Sequence, residues 1–160
     1  MSIETVLILG IGNTLLTDEG IGVHLVERMR NEVGEMKGVE YMDGGTLSFT
    51  LAEPIGRVDG LIVVDAARMG EAPGSLKVFH DEEMDRYLSG NRSSVHEVSL
   101  TDLMDIARLS ESLPQQRCLI GIEPESVDWG EAPTQKVDAA IKLGIQEILS
   151  ILNTWMKNDP

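Results

Sequence analysis

The sequence has a single cysteine, few aromatic residues, few basic residues and no long apolar run. Cys118 cannot form an internal disulfide, so we expect a buried thiol and a reducing, cytoplasmic setting. Because no apolar stretch reaches about 18 residues, no membrane-spanning helix is expected. The first residues, MSIETVLILGIGN, lack a positively charged region and lead straight into a strand, which is not the pattern of a signal peptide. Aromatic residues make up 4% of the chain against 42% hydrophobic residues, so the core should be aliphatic.

The charge balance is strongly acidic. The chain has 27 acidic and 13 basic residues, for a formal net charge of -14. Nucleic-acid binders need a basic face, and an anionic membrane surface would repel this chain, so neither is an expected partner. A basic peptide or a metal cation would be attracted instead, although an acidic surface also serves solubility alone.

Apolar runs alternate with helical patterns along the chain. The runs predicted as strands are 5–9, 39–42, 61–64, 75–79 and 118–122. The segments predicted as helices start near residue 18 or cover 47–56, 81–89, 99–109 and 135–156, the last capped by Thr134. This order predicts one α/β domain over residues 1–160. It should have three layers: a twisted, mostly parallel sheet of about five strands, with helices on both faces.

Three polar residues lie at the ends of strands or in short loops beside them. Glu19 lies near the end of VLILGIGNTLLTDEG, Asp65 directly follows the apolar run of LIVVDAA, and His96 lies in NRSSVHEVSL. Ligands of open parallel sheets bind outside the carboxyl ends of the strands. If the three side chains converge there, they form a carboxylate and imidazole site suited to zinc or nickel. Taken singly, each has a plainer explanation: the acids can cap helices and the histidine can lie on the surface.

Two glycine turns lie at the same predicted edge. The first turn, Gly10-Ile11-Gly12-Asn13, follows the first strand, as the glycine-rich loop of a nucleotide-binding site does. The third glycine of the G-x-G-x-x-G nucleotide-binding motif is missing, however. Asp18 and Glu19 at the start of the helix also disfavour a bound phosphate. The glycines of the second turn, in DGGT, allow the backbone of a ligand or peptide to come close, or form an ordinary turn. The residues predicted to contact a substrate are Gly12, Asn13, Asp43, Gly44, Gly45 and Thr46.

Read together, these segments resemble the hydrogenase maturation endopeptidases, which trim the large subunit of nickel-iron hydrogenases. The matching segments are LGIGNTLLTDEGIGV (9–23), DGGT (43–46), VVDA (63–66), SVHEVSL (94–100) and GIEP (121–124). They occur in the same order as in that family and at similar spacing over nearly the whole chain.

The resemblance implies a function and a set of roles. The expected activity is one endoproteolytic cut near the C-terminus of the large-subunit precursor after nickel insertion, with substrate-bound nickel as the recognition element. It implies Glu19, Asp65 and His96 as metal ligands, with zinc or cadmium able to replace nickel in vitro. The family is classed as aspartic-type, so Asp18, Glu19 or Asp65 is expected to act as general base, although a metal-polarised water or carbonyl also fits.

Two other functions remain open at the level of the sequence. One is a non-catalytic chaperone that docks on the nickel-loaded precursor, which would bind it without cutting. The other is a nucleotide-binding α/β enzyme that uses the Gly10 to Gly12 loop.

Overall fold

The computed structural model describes residues 2–90 and 98–157. Its centre is a five-stranded sheet in the order β2-β1-β3-β5-β4, which confirms the predicted fold class. The strands are β1 (Val6–Ile11), β2 (Val39–Gly45), β3 (Gly60–Ala66), β4 (Leu76–His80) and β5 (Gln116–Ile122). Strands β1, β2, β3 and β5 run parallel, and the edge strand β4 runs antiparallel to β5.

Helices cover both faces of the sheet. They are α1 (Ile21–Val33), α2 (Ala52–Gly56), α3 (Glu82–Gly90), α4 (Leu100–Leu109), α5 (Gln135–Asp138) and α6 (Ala140–Trp155). Alternate residues of β1 pack into two cores. Val6 and Ile8 pack with α1, α5 and α6, whereas Leu7 and Leu9 pack with α2, α3 and α4. Burial on both faces is why the central strands are continuous apolar runs rather than alternating ones.

The N-terminus of α1 lies unusually close to the sheet. An added Cβ on Gly22 would fall 2.1 Å from the carbonyl oxygen of Val64, and one on Gly10 would fall 2.4 Å from the carbonyl oxygen of Gly22. Only glycine at both positions permits this approach. The turn that precedes α1 is thereby held at the carboxyl edge of the sheet.

Two predicted helix boundaries differ from those observed. The first helix begins at Ile21, because residues Thr17–Gly20 form a separate 3-10 turn. The closing helix is divided into α5 and α6, and Thr134 occupies the N-cap position without a capping hydrogen bond from its side chain. Cys118 is buried as predicted, and burial raises the pKa of its thiol to about 12. In the part of the chain that the structure describes, no helix has the length and apolar character needed to cross a membrane.

Candidate active site

A cleft of about 680 Å³ opens at the carboxyl ends of β1, β2 and β3, between the turn before α1 and helices α3 and α4. Six of the residues predicted for the site line it: Gly12, Asn13, Glu19, Gly45, Thr46 and Asp65. His96 lies outside the described residues. Elsewhere in the described chain, no group of three histidine, cysteine, aspartate or glutamate side chains is arranged to hold a metal ion. Two of the three predicted metal ligands therefore line this cleft in the part of the chain that the structure describes.

Glu19 and Asp65 reach the cleft from two separate segments. Glu19 lies on the 3-10 turn between β1 and α1, and Asp65 is the next-to-last residue of β3. Burial raises the pKa of Asp65 well above its ordinary value, and the charge of Glu19 raises it further. The backbone N–H of Ala66 opposes these effects. A cation in the cleft would relieve both the desolvation and the repulsion, so the pair is chemically suited to bind one.

Asp18, the neighbour of Glu19, does not line the cleft. Its carboxylate is fully buried and accepts hydrogen bonds from the backbone N–H groups of Glu125 (2.9 Å), Ser126 (3.0 Å) and Thr134 (2.7 Å). The Thr134 hydroxyl donates a further bond at 2.8 Å. Burial alone would raise the pKa of Asp18, but the hydrogen bonds together lower it. Such a carboxylate is a structural anchor, and this placement argues against the predicted role as general base.

The first glycine turn fixes the backbone of Glu19. Gly12 has a φ of 135°, and a Cβ there would lie 2.0 Å from the carbonyl oxygen of Glu19. The N–H of Gly12 also donates to the carbonyl of Gly45 at 2.9 Å. One glycine therefore links the turn that carries Glu19 to the end of β2. A phosphate bound at this turn would meet Glu19 and Asp65, which speaks against the nucleotide-binding alternative.

The two glycines of DGGT face different environments. A Cβ on Gly44 would fall 2.8 Å from Leu9 and 3.1 Å from Ile11, so this position is packed against the core. Gly45 has a φ of 49° and faces the open cleft. The Asp43 carboxylate accepts from the N–H of Gly45 at 2.7 Å and so shapes the turn. Gly45 and Thr46 therefore line the cleft, whereas Asp43 and Gly44 support the turn behind them.

Three residues near the cleft were not predicted from the sequence: Tyr87, Arg68 and Glu123. Tyr87 of α3 and Arg68, which follows β3, line the cleft. The Tyr87 ring stacks on Phe79 with centroids 4.4 Å apart. Burial, followed by the charges of Asp65 and Glu123, raises the pKa of its hydroxyl.

Glu123, in the GIEP segment, is buried and shapes the loop beside the cleft. Its carboxylate accepts from the N–H groups of Met69 (2.7 Å) and Glu71 (3.1 Å). The position of Arg68 directly after VVDAA was a usable signal. No local spacing indicated Tyr87, because its place depends on how α3 packs.

Comparison with known proteins assigns this architecture to a class of peptidases. The structure resembles that of the hydrogenase maturating endopeptidase HybD from Escherichia coli, with a TM-score of 0.84 and 33% sequence identity, over 94% of this chain and 93% of that one. A solution structure of an endopeptidase from Escherichia coli gives a TM-score of 0.81 at 31% identity over 94% and 93% of the two chains.

The sequence comparisons agree. A family model described as hydrogenase maturation protease matches residues 23–151. The hydrogenase 2 maturation protease of Escherichia coli strain K12 is 34% identical over 148 residues, covering 92% of this chain and 90% of the relative. The hydrogenase expression/formation protein HoxM of Azotobacter vinelandii is 37% identical over 153 residues, covering 95% and 74%. The chain belongs to the hydrogenase maturation protease family.

Proposed function

We propose that this protein is the endopeptidase that removes the C-terminal extension of a nickel-iron hydrogenase large-subunit precursor after nickel insertion. The observation that carries the proposal is the pair formed by Glu19 and Asp65, two carboxylates that face one cleft in a chain of the maturation protease family. The open cleft gives an extended peptide access to both.

The nickel that the precursor carries serves as the recognition element. Two carboxylates that disfavour each other's ionised form gain most when a divalent cation enters between them. Asp65 is held in this unfavourable state by burial and by Glu19. His96 is proposed as the third ligand on the family resemblance. With three protein ligands, coordination positions stay open for groups of the substrate, and zinc or cadmium can occupy the same site in vitro.

Hydrolysis is proposed to be of the aspartic type. A carboxylate accepts a proton from the attacking water as the water oxygen adds to the scissile carbonyl carbon. The carboxyl group then gives this proton to the amide nitrogen as the carbon–nitrogen bond breaks, and the amine leaves. Asp65 and Glu19 are better placed to act as the base than Asp18, because both line the cleft, whereas the Asp18 carboxylate is buried and accepts four hydrogen bonds. Direct polarisation of the water or the carbonyl by the metal is the competing scheme.

The experiment compares Glu19→Gln and Asp65→Asn with the unchanged protein on nickel-loaded precursor. Complex formation is measured by analytical size exclusion and cleavage by intact mass. Glu147→Gln is the control, because Glu147 is exposed on α6, a helix that does not line the cleft.

Each outcome assigns a role. Lost complex formation by both variants supports the ligand role, since an amide is a poorer ligand for a divalent cation. Normal complexes that remain uncut support a catalytic role alone. If the unchanged protein binds the precursor without cutting it, the chain is a docking chaperone and the proposal fails.

A further inference from the structure

Two large apolar side chains are exposed beside the cleft. Leu15 is 50% exposed and Trp129 is 82% exposed. Their segments are joined through the backbone: the N–H of Gly130 donates to the carbonyl of Leu15 at 2.9 Å, and the N–H of Thr17 donates to the carbonyl of Gly130 at 2.8 Å. A parallel bridge between Leu16 and Gly130 lies between these bonds. Leu15 and Trp129 are thus presented at the same edge of the molecule.

The segment that carries Trp129 is firmly anchored. The buried Asp18 carboxylate accepts from three of its backbone N–H groups, those of Glu125, Ser126 and Thr134. The Thr17 hydroxyl also donates to the carbonyl of Asp128. These contacts hold the backbone of the segment in place, and the Trp129 side chain that it carries is exposed. Exposed apolar surface of this kind marks a surface that a partner covers.

The nearness of this surface to the cleft and its negative charge indicate the chemistry of the segment that would bind to it. Leu15 lies between Asn13 and Leu16, both of which line the cleft, so the surface continues the substrate site. Trp129 is flanked by the exposed carboxylates of Asp128 and Glu131. A complementary segment would carry an apolar side chain with lysine or arginine beside it.

We propose that Leu15, Trp129, Asp128 and Glu131 form a docking platform for the hydrogenase precursor. The platform would bind a basic and apolar segment of the precursor that lies outside the scissile bond. This inference rests on the proposed function and adds a second contact to the nickel-dependent one. A second copy of this chain is a poor occupant, because its own platform has the same negative charges and its net charge is -14.

Fluorine NMR tests the contact directly. The chain has two tryptophans, so labelling with 5-fluorotryptophan gives one resonance for each. On titration with unlabelled, nickel-loaded precursor, the Trp129 resonance should shift or broaden. Trp155 should not respond, because it packs against Gly60, which begins β3 at the opposite edge of the sheet. An unchanged Trp129 resonance while cleavage proceeds would overturn the proposal. So would a Trp129 shift that follows the concentration of the protein alone, because that marks self-association.

Kinetics provide a second measurement. The double variant Leu15→Ser with Trp129→Ser should raise KM for nickel-loaded precursor roughly tenfold, with kcat nearly unchanged. Zinc binding and thermal stability should stay as in the unchanged protein. Leu109→Ser is the matched control, because Leu109 is 85% exposed and ends α4 at the side away from the cleft.

The outcomes separate this inference from the proposed function. If the unchanged protein fails to cut nickel-loaded precursor, the proposed function is wrong. If it cuts and the double variant has the same KM, the docking platform alone is wrong. Replacing Asp128 and Glu131 by Asn and Gln should also reduce the salt dependence of KM, since it removes the charges that attract a basic segment.

Discussion

Asp65 and Glu19 bring two carboxylates into one cleft, and the pKa of Asp65 is raised there, first by burial and second by the charge of Glu19. The ionised pair therefore works against the stability of the fold at neutral pH. Two neighbouring carboxylates destabilise the fold when no cation is bound, whereas the same two carboxylates would stabilise a bound cation. The effect of the raised Asp65 pKa on stability can be tested without substrate.

Asp65→Asn should stabilise the metal-free protein at pH 7. The folded state binds the Asp65 proton more tightly than the unfolded state, so stability falls as pH rises above the ordinary aspartate pKa of 3.8. Removing the ionisable group should add about 1 kcal/mol, which corresponds to roughly 2–4 °C in Tm for a chain of this size. Thermal unfolding with a chelator present, at pH 3.5 and pH 7, measures the difference.

The stabilisation should be present at pH 7 and much smaller at pH 3.5, where Asp65 is protonated in the folded state and mostly protonated in the unfolded state. Asp43→Asn, at an exposed position, should leave Tm unchanged at both pH values. If Asp65→Asn is instead less stable than the unchanged protein at pH 7, other groups of the fold stabilise the ionised Asp65 carboxylate, and the prediction is wrong.

Asp18→Asn should have the opposite effect. The amide replaces an acceptor of four hydrogen bonds, so at least one buried donor loses its partner. We expect a loss of about 2–3 kcal/mol at neutral pH. Because the folded pKa of Asp18 is lowered, its contribution is complete above pH 3.8 and is lost as pH falls through the folded pKa below that value.

Denaturant unfolding between pH 7 and pH 2.5 measures this contribution. Thr134→Val is the graded control, since it removes only the hydroxyl donor and should cost about 1 kcal/mol. An Asp18→Asn protein of unchanged stability that no longer cuts the precursor would restore the catalytic role predicted from the sequence.

Much of the fold follows from the sequence, because burial on both faces leaves a readable pattern. Strand β1 is buried throughout and appears as the run VLIL, and the carboxyl end of β3 fixes the position of Asp65. The division of the closing helix and the late start of α1 were not predictable in this way. The start of α1 depends on Asp18 binding a segment more than a hundred residues away, for which the local sequence has no signal.

Many of the residues that line the cleft were predictable, but the sequence did not indicate which residues face the cleft and which support it from behind. Asp18 and Glu19 are neighbours in the same turn, and the sequence does not say which of them faces the cleft. The contacts of Asp18 with Ser126 and Thr134 decide it. Gly44 and Gly45 differ for a similar reason, because the packing of Leu9 against β2 is a tertiary contact.

Substitutions at these two glycines should therefore differ in effect. Gly44→Ala places a Cβ against Leu9 and Ile11 and should destabilise the fold by about 1–3 kcal/mol. Gly45→Asn should be nearly neutral for stability, because asparagine tolerates the left-handed conformation of Gly45. Its side chain would project toward the cleft and slow precursor cleavage. Parallel unfolding and cleavage assays measure both, and equal stability losses at the two positions would contradict the placement of Gly45.

Tyr87→Phe should slow cleavage while leaving the fold intact. The phenol is protonated at neutral pH, since its ordinary pKa of 10.0 already lies well above 7, and it can donate a hydrogen bond near Asp65. Phenylalanine keeps the stacking on Phe79. We expect roughly a tenfold fall in kcat, the effect of losing one ordinary hydrogen bond. Tyr41→Phe is the control, since that hydroxyl donates to the carbonyl of Gly34 away from the cleft. Equal kcat for the two variants would exclude a role for the Tyr87 hydroxyl in cleavage.

The recognition of substrate-bound nickel is tested most directly with one precursor in two states. The unchanged protein is incubated with nickel-loaded and with nickel-free precursor at equal concentration, and the intact mass of each is followed over time. We expect a single cut near the C-terminus of the nickel-loaded precursor and an uncut nickel-free precursor. Equal cleavage of both would contradict metal recognition and leave Glu19 and Asp65 as acid and base residues of an ordinary protease.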